Sequence, residues 1–282
     1  MNIYLDIGHG GTDTTGTDTG TSGTLNSKTY KENDCNLAIG LTVKKILEGS
    51  GHMVDASRTG STNLGGLVGN YGRADSNLIN SAAKCKNGDY DFMVSIHNNG
   101  SNNATARGFQ IFWKTGDGKA EDSETLAKKI SEQLVSAVPE NCTKESTKGA
   151  SGKDYYGILR LHDKVGCLIE CAFMTNPEDI KILSESSNLL KIGNAIAEGI
   201  LNYISYKTPP NDDTDYKEAY KQLSENYGIL EQQYNDAVAN INKLKSAQAE
   251  LEKRVAKLQA GDVNEDGKVS FADAKIILNK LD

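Results

Sequence analysis

Two imidazoles and two carboxylates stand where apolar runs meet polar turns. His9 lies in Gly8-His9-Gly10, Glu32 in Tyr30-Lys31-Glu32-Asn33, His97 in Ser95-Ile96-His97-Asn98, and Glu170 in Leu168-Ile169-Glu170-Cys171-Ala172-Phe173. Two His and one Glu make a three-ligand set suited to a catalytic zinc, which keeps one coordination position open for water. A further carboxylate that does not ligate is what such a centre needs to move protons. Glu170 ends a run that should be buried. There it is either half of a buried salt bridge or a carboxylate kept for use, because an unpaired buried charge is costly. A lone core histidine is more often hydrogen-bonded than metal-bound. The company of Glu32 and Glu170 is what assigns His9 and His97 to a metal. His52 and His162 fall outside these motifs and read as surface or outer-sphere residues.

The elements that must carry these groups follow from hydrophobic periodicity. Ile3 to Ile7, Phe92 to Ile96, Gly108 to Trp113 and Val165 to Glu170 read as strands. Asn33-Asp34 can cap a helix over about Asn36 to Glu48, which stops at Gly49 and Gly51. Further helical patterns run near Gly72 to Lys84, Ser123 to Val138 and Ser187 to Tyr206. Strands alternating with helices predict an α/β domain, a mixed twisted sheet flanked by helices. Between Gly10 and Thr29 the chain is almost all Gly, Thr, Ser and Asp, which predicts a surface loop on the rim of the site.

The chain has 282 residues, 37% hydrophobic content and a formal net charge of −7. Mean hydropathy of −0.51 is low for a single compact globule, so part of the chain is expected to be solvated or fibrous. The acidic balance argues against nucleic acid as a partner. No window approaches the ~18 apolar residues of a membrane span. The first residues, Met1-Asn2-Ile3-Tyr4-Leu5-Asp6, lack a basic n-region, so no secretory signal is expected. The five cysteines, Cys35, Cys85, Cys142, Cys167 and Cys171, show no CxxC and read as free thiols of a protein folded in a reducing cytoplasm. Cys167 and Cys171 sit in an apolar run and read as small core residues.

Composition changes near residue 207. Lys207-Thr208-Pro209-Pro210-Asn211-Asp212-Asp213 is a linker by composition. From Tyr220 to Leu258 the residues Leu223, Tyr227, Leu230, Tyr234, Ala237, Ile241, Leu244, Gln248, Leu251 and Val255 continue a series spaced alternately three and four apart. That is an a/d heptad series with a polar remainder, which predicts a coiled coil and a homo-oligomer, a parallel dimer favoured. The alternative is a helix folded back on the first domain. At the end, Asp262, Asn264 and Asp266 occupy positions 1, 3 and 5 of an EF-hand loop, Gly267 position 6 and Asp273 position 12, with Lys268 offering its carbonyl. This predicts a structural calcium site. The organisation is therefore a catalytic domain over 1–206, a linker over 207–213, a coiled coil over 214–259 and a calcium loop with its helix over 260–282.

The first domain resembles the zinc-dependent N-acetylmuramoyl-L-alanine amidases of the amidase-3 family. The resemblance rests on Leu5-Asp6-Ile7-Gly8-His9-Gly10-Gly11-Thr12-Asp13, on Glu32 before a helix, and on Arg58 at the end of the second strand region. It continues through Arg73, through Asp91-Phe92-Met93-Val94-Ser95-Ile96-His97-Asn98-Asn99 and through Leu168-Ile169-Glu170-Cys171-Ala172-Phe173-Met174-Thr175-Asn176-Pro177-Glu178-Asp179. Cys171-Ala172 replaces the Thr-Gly usual after the catalytic Glu. The resemblance implies zinc on His9, Glu32 and His97, catalysis by Glu170, and peptidoglycan as substrate. The terminal segment resembles one repeat of a dockerin. Dockerins carry two repeats and this chain shows one, which argues against docking to a cohesin.

The enzyme so implied cleaves the amide between the lactyl group of N-acetylmuramic acid and L-alanine. An enzymatic head with an accessory tail and no export signal is similar to a bacteriophage endolysin of a clostridial host, made in the cytoplasm and acting on the wall after release. Two other readings stand beside it: a host lytic amidase, and a non-catalytic muropeptide-binding assembly protein. Intact ligands together with Glu170 weigh against the last.

Overall fold

The computed structural model describes residues 1–10, 12–13, 16–60, 81–116, 118–138, 146–150, 156–208 and 213–259, together with 270 and 276. The chain divides into two compact units, Met1–Pro209 and Pro210–Asp282. The expected calcium ligands Asp262, Asn264, Asp266, Lys268 and Asp273 lie outside the described residues, as do Arg73 and Cys142.

In the first unit a six-stranded sheet is built from β1 (Asn2–Ile7), β6 (Met53–Ala56), β7 (Phe92–Asn99), β8 (Gln110–Trp113), β9 (Ser146–Gly149) and β10 (Val165–Phe173). Its order is β6-β1-β7-β10-β8-β9. The first four strands run parallel, and β8 and β9 run against them, so the sheet is mixed. The chain leaves β1 for β6 on one side and returns across β1 to β7 on the other. Between β1 and β7 the order reverses, and open α/β sheets bind ligands at the carboxyl ends of strands at such a point.

The helices are α1 (Glu32–Gly49), α2 (Ala120–Ala137), α3 (Gly157–Arg160), α4 (Asp179–Leu183) and α5 (Ser186–Lys207). The α1, α2 and α5 helices cover one face. There Ile39 and Val43 of α1, Leu126 and Ile130 of α2, and Ile196 and Ile200 of α5 meet Ile3, Leu5, Val94, Ile96, Cys167 and Ile169 of the strands. The opposite face carries a smaller apolar cluster of Tyr4, Met93, Phe112 and Leu168 under Ala82, Cys85, Ile158 and Leu159. Residues 81–87 are helical, overlapping the end of the expected Gly72 to Lys84 helix and running three residues past it; residues 72–80 lie outside the described residues. The free thiols of Cys35, Cys85, Cys167 and Cys171 are all buried.

Three expectations need correction. The α1 helix begins at Glu32, ahead of the Asn33-Asp34 cap, and no side chain caps it. Its first free amides are satisfied by the preceding chain instead: Glu32 N–H donates to Thr21 O at 2.9 Å and Asn33 N–H to Thr19 O at 3.2 Å. Glu32 thereby joins the first helical turn, where a carboxylate suits the helix dipole. The segment from Gly10 to Thr29 is not a plain loop. It holds two hairpins, β2 (Thr12–Asp13) with β3 (Gly16–Thr17) and β4 (Ser22–Leu25) with β5 (Lys28–Lys31). Asn26 and Ser27, both at positive φ, close the second as a two-residue turn. Gly23 presses so closely on the Met174 carbonyl that a Cβ there would stand 2.0 Å from it. The third concerns His162, which is buried against Gly166 on β10 and is neither a surface nor an outer-sphere residue.

The second unit contains α6 (Asp213–Gln259), an unbroken helix of 47 residues, roughly 70 Å long at the α-helical rise. Along it Ile241, Leu244, Leu251 and Val255 stand exposed. No helix among the described residues is long and apolar enough to cross a membrane.

Candidate active site

Side-chain alternation decides what the thinly covered face presents. On β7, Phe92, Val94 and Ile96 enter the large core, while Met93, Ser95 and His97 point the other way. On β10, Cys167 and Ile169 enter the same core, and Leu168 and Glu170 face the opposite side. The parallel register pairs Glu170 with His97, so both side chains emerge together on one face. Both lie inside longer strands than the apolar runs suggested. Pairing continues to Phe173 and Asn99 after an irregularity past Glu170.

His9 follows the end of β1 and takes a left-handed φ of 57°, a conformation in which His is among the enriched non-glycine residues. Gly8 before it must lack a side chain, since a Cβ would stand 2.2 Å from the His97 ring. The two imidazoles therefore approach closely, with ring centroids 4.9 Å apart and planes at 80°. Glu32 reaches between them from the first turn of α1. Its Oε2 lies 3.2 Å from His9 Nε2 and its Oε1 3.0 Å from His97 Nδ1. One donor atom from each residue falls within 4.8 Å of the others.

Those separations fit a metal. Donors about 2.0–2.1 Å from a tetrahedral ion stand roughly 3.3 Å from one another. The mixed N and O set suits zinc-like cations rather than calcium or magnesium, which take oxygens. Burial opposes charge on Glu32, but hydrogen bonds from both imidazoles outweigh it and hold its carboxyl well below the usual range. Burial likewise pulls His97 down, and the Glu32 bond and charge overcome it, leaving His97 raised to about 9. His9 is raised by the same contest. Glu32 thus binds both imidazoles by hydrogen bonds, and a cation bound there would take over the ligand atoms and release their protons.

Glu170 is of another kind. It is 7% exposed, and its Oε2 is buried without a hydrogen-bond partner among the described residues. Burial pushes its carboxyl up from 4.5 to about 7, with His97 pulling it down and Glu32 pushing it up by smaller amounts. No salt bridge holds it among the described residues. It lines the same cavity of about 620 Å³ as the triad, with Tyr156, Ile158 and Leu168 as an apolar wall and Ser101, Asn102 and Thr175 on a polar rim.

Two residues support this cluster: Asp18, which was not singled out in the sequence, and Arg58, which was, but without its contacts. Asp18 places both carboxylate oxygens 3.2 Å from His9 Nδ1, the arrangement that fixes ring orientation and tautomer in metal sites. Nothing in its Gly, Thr and Asp surroundings distinguishes it from Asp13. Arg58 is buried and donates to the carbonyls of Ile7, Gly8, Asn33 and Gly60, tying the end of β1 to the start of α1. Those acceptors are backbone atoms and leave no mark in the sequence. His52 stands apart, against the amino terminus.

The mixed α/β sheet thus brings a His–Glu–His cluster that could hold a metal ion to its switch point, beside a buried carboxylate whose Oε2 has no hydrogen-bond partner among the described residues. Residues 3–202 match the family model described as N-acetylmuramoyl-L-alanine amidase, and the chain belongs to that family, whose activity is peptidoglycan amide hydrolysis. It is 29% identical over 212 residues to the germination-specific N-acetylmuramoyl-L-alanine amidase of Bacillus subtilis, covering 74% of this chain and 81% of that one. Against AmiA of Escherichia coli the identity is 26%, over 72% of this chain and 76% of that one. Among solved structures, the CwlD amidase of Clostridioides difficile, in complex with the GerS lipoprotein, superposes with a TM-score of 0.60 at 31% identity, covering 73% of this chain and 98% of that one.

Proposed function

We propose that this chain is a zinc-dependent N-acetylmuramoyl-L-alanine amidase, with His9, Glu32 and His97 as metal ligands and Glu170 as general base and acid. The observation that carries the reading is the buried Glu170 carboxylate, whose Oε2 has no hydrogen-bond partner among the described residues, beside a convergent His–Glu–His set. An ion held there would supply Lewis acidity to the scissile carbonyl and to the attacking water. Glu170 takes one proton from that water as its oxygen bonds to the lactyl carbonyl carbon. It returns the proton to the alanine nitrogen as the C–N bond breaks, and the lactyl carboxylic acid so formed passes its own proton to the freed amine, giving carboxylate and ammonium. Asp18 and Glu32 hold His9 in place meanwhile. The apolar wall of Tyr156 and Leu168 limits water around Glu170 and sustains its raised affinity for a proton. Purified full-length chain on whole peptidoglycan, with mass analysis of the released ends, tests the assignment. New L-alanine amino termini without new reducing sugars are expected. New reducing ends, or binding without cleavage, would overturn it.

Within that activity we read the chain as a lytic enzyme of the endolysin kind from a clostridial setting, made in a reducing cytoplasm that its free thiols suit. A host amidase is the second reading, favoured by the likeness to the germination-specific enzyme and to CwlD. Rapid lysis of vegetative cells by added protein supports the first, and preference for spore peptidoglycan supports the second. For the tail we propose a parallel coiled-coil dimer that brings two calcium loops together, supported by the heptad series and by the exposed Ile241, Leu244, Leu251 and Val255. Light scattering of the full chain in calcium and in chelator tests it. A monomer in calcium at high micromolar concentration would sink the dimer.

A further inference from the structure

We propose that Asn36 and Asn98 form a clamp that sets the spacing of the three metal ligands. This rests on the reading of His9, Glu32 and His97 as a metal centre. Neither residue touches a reacting atom, so both are positioning residues. Asn36 lies one helical turn beyond Glu32 on α1 and is fully buried. Its Nδ2 donates to Gly8 O at 3.0 Å, just before His9, and to Glu32 Oε1 at 3.3 Å. Its Oδ1 accepts from Asn98 Nδ2 at 2.8 Å, just after His97. Asn98 closes the circuit, its backbone N–H donating to Glu32 Oε1 at 3.2 Å. One buried amide thus joins all three chain segments that supply ligands.

A filler role does not account for this pair. Burying amides is unfavourable unless they are hydrogen-bonded, and an apolar pair of similar volume would fill the space without that demand. What the amides add is orientation. Glu32 Oε1 receives His97 Nδ1, Asn98 N–H and Asn36 Nδ2, while Oε2 receives His9 Nε2 and Thr21 N–H. With both oxygens engaged, the carboxylate cannot turn about its last bond. Without Asn36, Oε1 loses its helix-borne donor, and the carbonyl of Gly8 keeps Arg58 Nη2 at 3.0 Å.

The test uses the full chain and metal alone. Zinc affinity is measured by competition with a chromogenic chelator, and the ligand field by the visible spectrum of the cobalt-substituted protein. Asn36→Ala is expected to weaken zinc binding ~10–100-fold, the usual effect of losing an outer-sphere partner, and to shift the cobalt bands. A residue that only stabilised the fold would lower the melting temperature of the metal-free protein and leave the cobalt spectrum of the folded fraction unchanged. Should Asn36→Ala fail to fold, Asn36→Asp keeps the shape and the acceptor for Asn98 but loses the donor, and the same two readouts apply. Affinity within twofold of wild type, with an unaltered spectrum, overturns the clamp. Wild type that binds no zinc overturns the metal reading and the clamp with it. Wild type that binds zinc but cleaves no amide overturns only the enzymatic reading.

Discussion

The two faces of the same sheet obey different rules. Toward α1, α2 and α5, the strands present Ile3, Leu5, Phe92, Val94, Ile96, Cys167 and Ile169, all closed off from solvent. Toward the cavity, the neighbouring residues on those strands include Asp6, His97 and Glu170. One face is organised by the removal of apolar area from water, which is non-directional and tolerant of the exact residue. The other carries a smaller apolar cluster, and around the cavity it is organised by hydrogen bonds. Asp6 accepts from Ser95 Oγ at 2.6 Å and from Ser81 Oγ, and each triad member has a named partner. Among the described residues, Glu170 Oε2 is an exception, buried without a hydrogen-bond partner, and the proposed chemistry rests on it. A sheet can carry a reactive centre when its stability is secured on the side that does no chemistry.

Variants on the cavity face should therefore cost activity and those on the helix face stability. The largest effect is expected from His97→Ala, which should lose metal and turnover together, as should His9→Ala. Metal analysis of the purified variants checks this, and retention of zinc with loss of activity would remove the histidine from the ligand set. Glu170→Gln should reduce turnover ~10²–10⁴-fold, the usual worth of a general acid–base group, while zinc content stays at the wild-type level. Retention of more than about a tenth of the wild-type rate, against that expected range, would take Glu170 out of the mechanism.

On the helix face, Ile39→Ala should cost about 2–5 kcal/mol, the range for a large-to-small change in a closed core. Ile39 is fully buried within the large cluster. Leu168→Ala should fall at or below the low end of that range, because Leu168 also borders the open cavity, where neighbours and water can adjust. Denaturant melts of the two variants compare them directly. Equal losses would mean that the two faces do not differ as described.

How much of this division was legible in the sequence follows from the same contrast. The helix face announced itself through apolar periodicity, and β1, β7, β8 and β10 were each anticipated to within a few residues. The four residues of the proposed centre could be picked out because His and Glu are rare at the ends of apolar runs. The supports were not. Asp18 is one of several aspartates in a Gly- and Thr-rich stretch, and Asn36 reads as an ordinary helix residue until its amide is seen to face Gly8 and Asn98. The β4–β5 hairpin was missed because its turn, Asn26-Ser27, lacks the glycine that usually marks positive φ. The start of α1 was misplaced because its cap comes from the backbone of residues 19 and 21, and backbone acceptors have no sequence signature.

A smaller effect concerns what the exceptional carboxylate takes from the fold. In the metal-free protein, burial raises Glu170 from 4.5 to about 7. Between those values the folded state holds a proton that the unfolded state has released. Stability from this group therefore falls as pH rises through that window and is flat above it. Glu170→Gln removes the dependence. At pH 8 the metal-free variant should be more stable than metal-free wild type by about 1–3 kcal/mol, and the gap should close toward pH 4.5. Thermal melts across that range in chelator test the sign. A destabilised variant at pH 8 would show that Glu170 has a partner after all.

The smallest effect should come from removing the tail. If the contrast between faces is internal to the first unit, it should survive a cut near Pro209. The large cluster runs from Ile3 to Ile204, and the cavity residues from Asp6 to Thr175, all within Met1–Pro209. The truncated protein should fold, bind zinc as the full chain does, and cleave soluble muropeptides within about twofold of it, as expected if the two units act independently. Intact cells should report differently. A tail that joins two heads raises their effective concentration at a surface carrying many copies of the substrate, a gain open to multivalent binding and closed to a single head. Loss of lysis on whole cells with retained hydrolysis of fragments is the expected pair of results. A segment 1–206 that fails to fold would show that the tail contributes to the core, and an unchanged rate on whole cells would deny it any part in wall engagement.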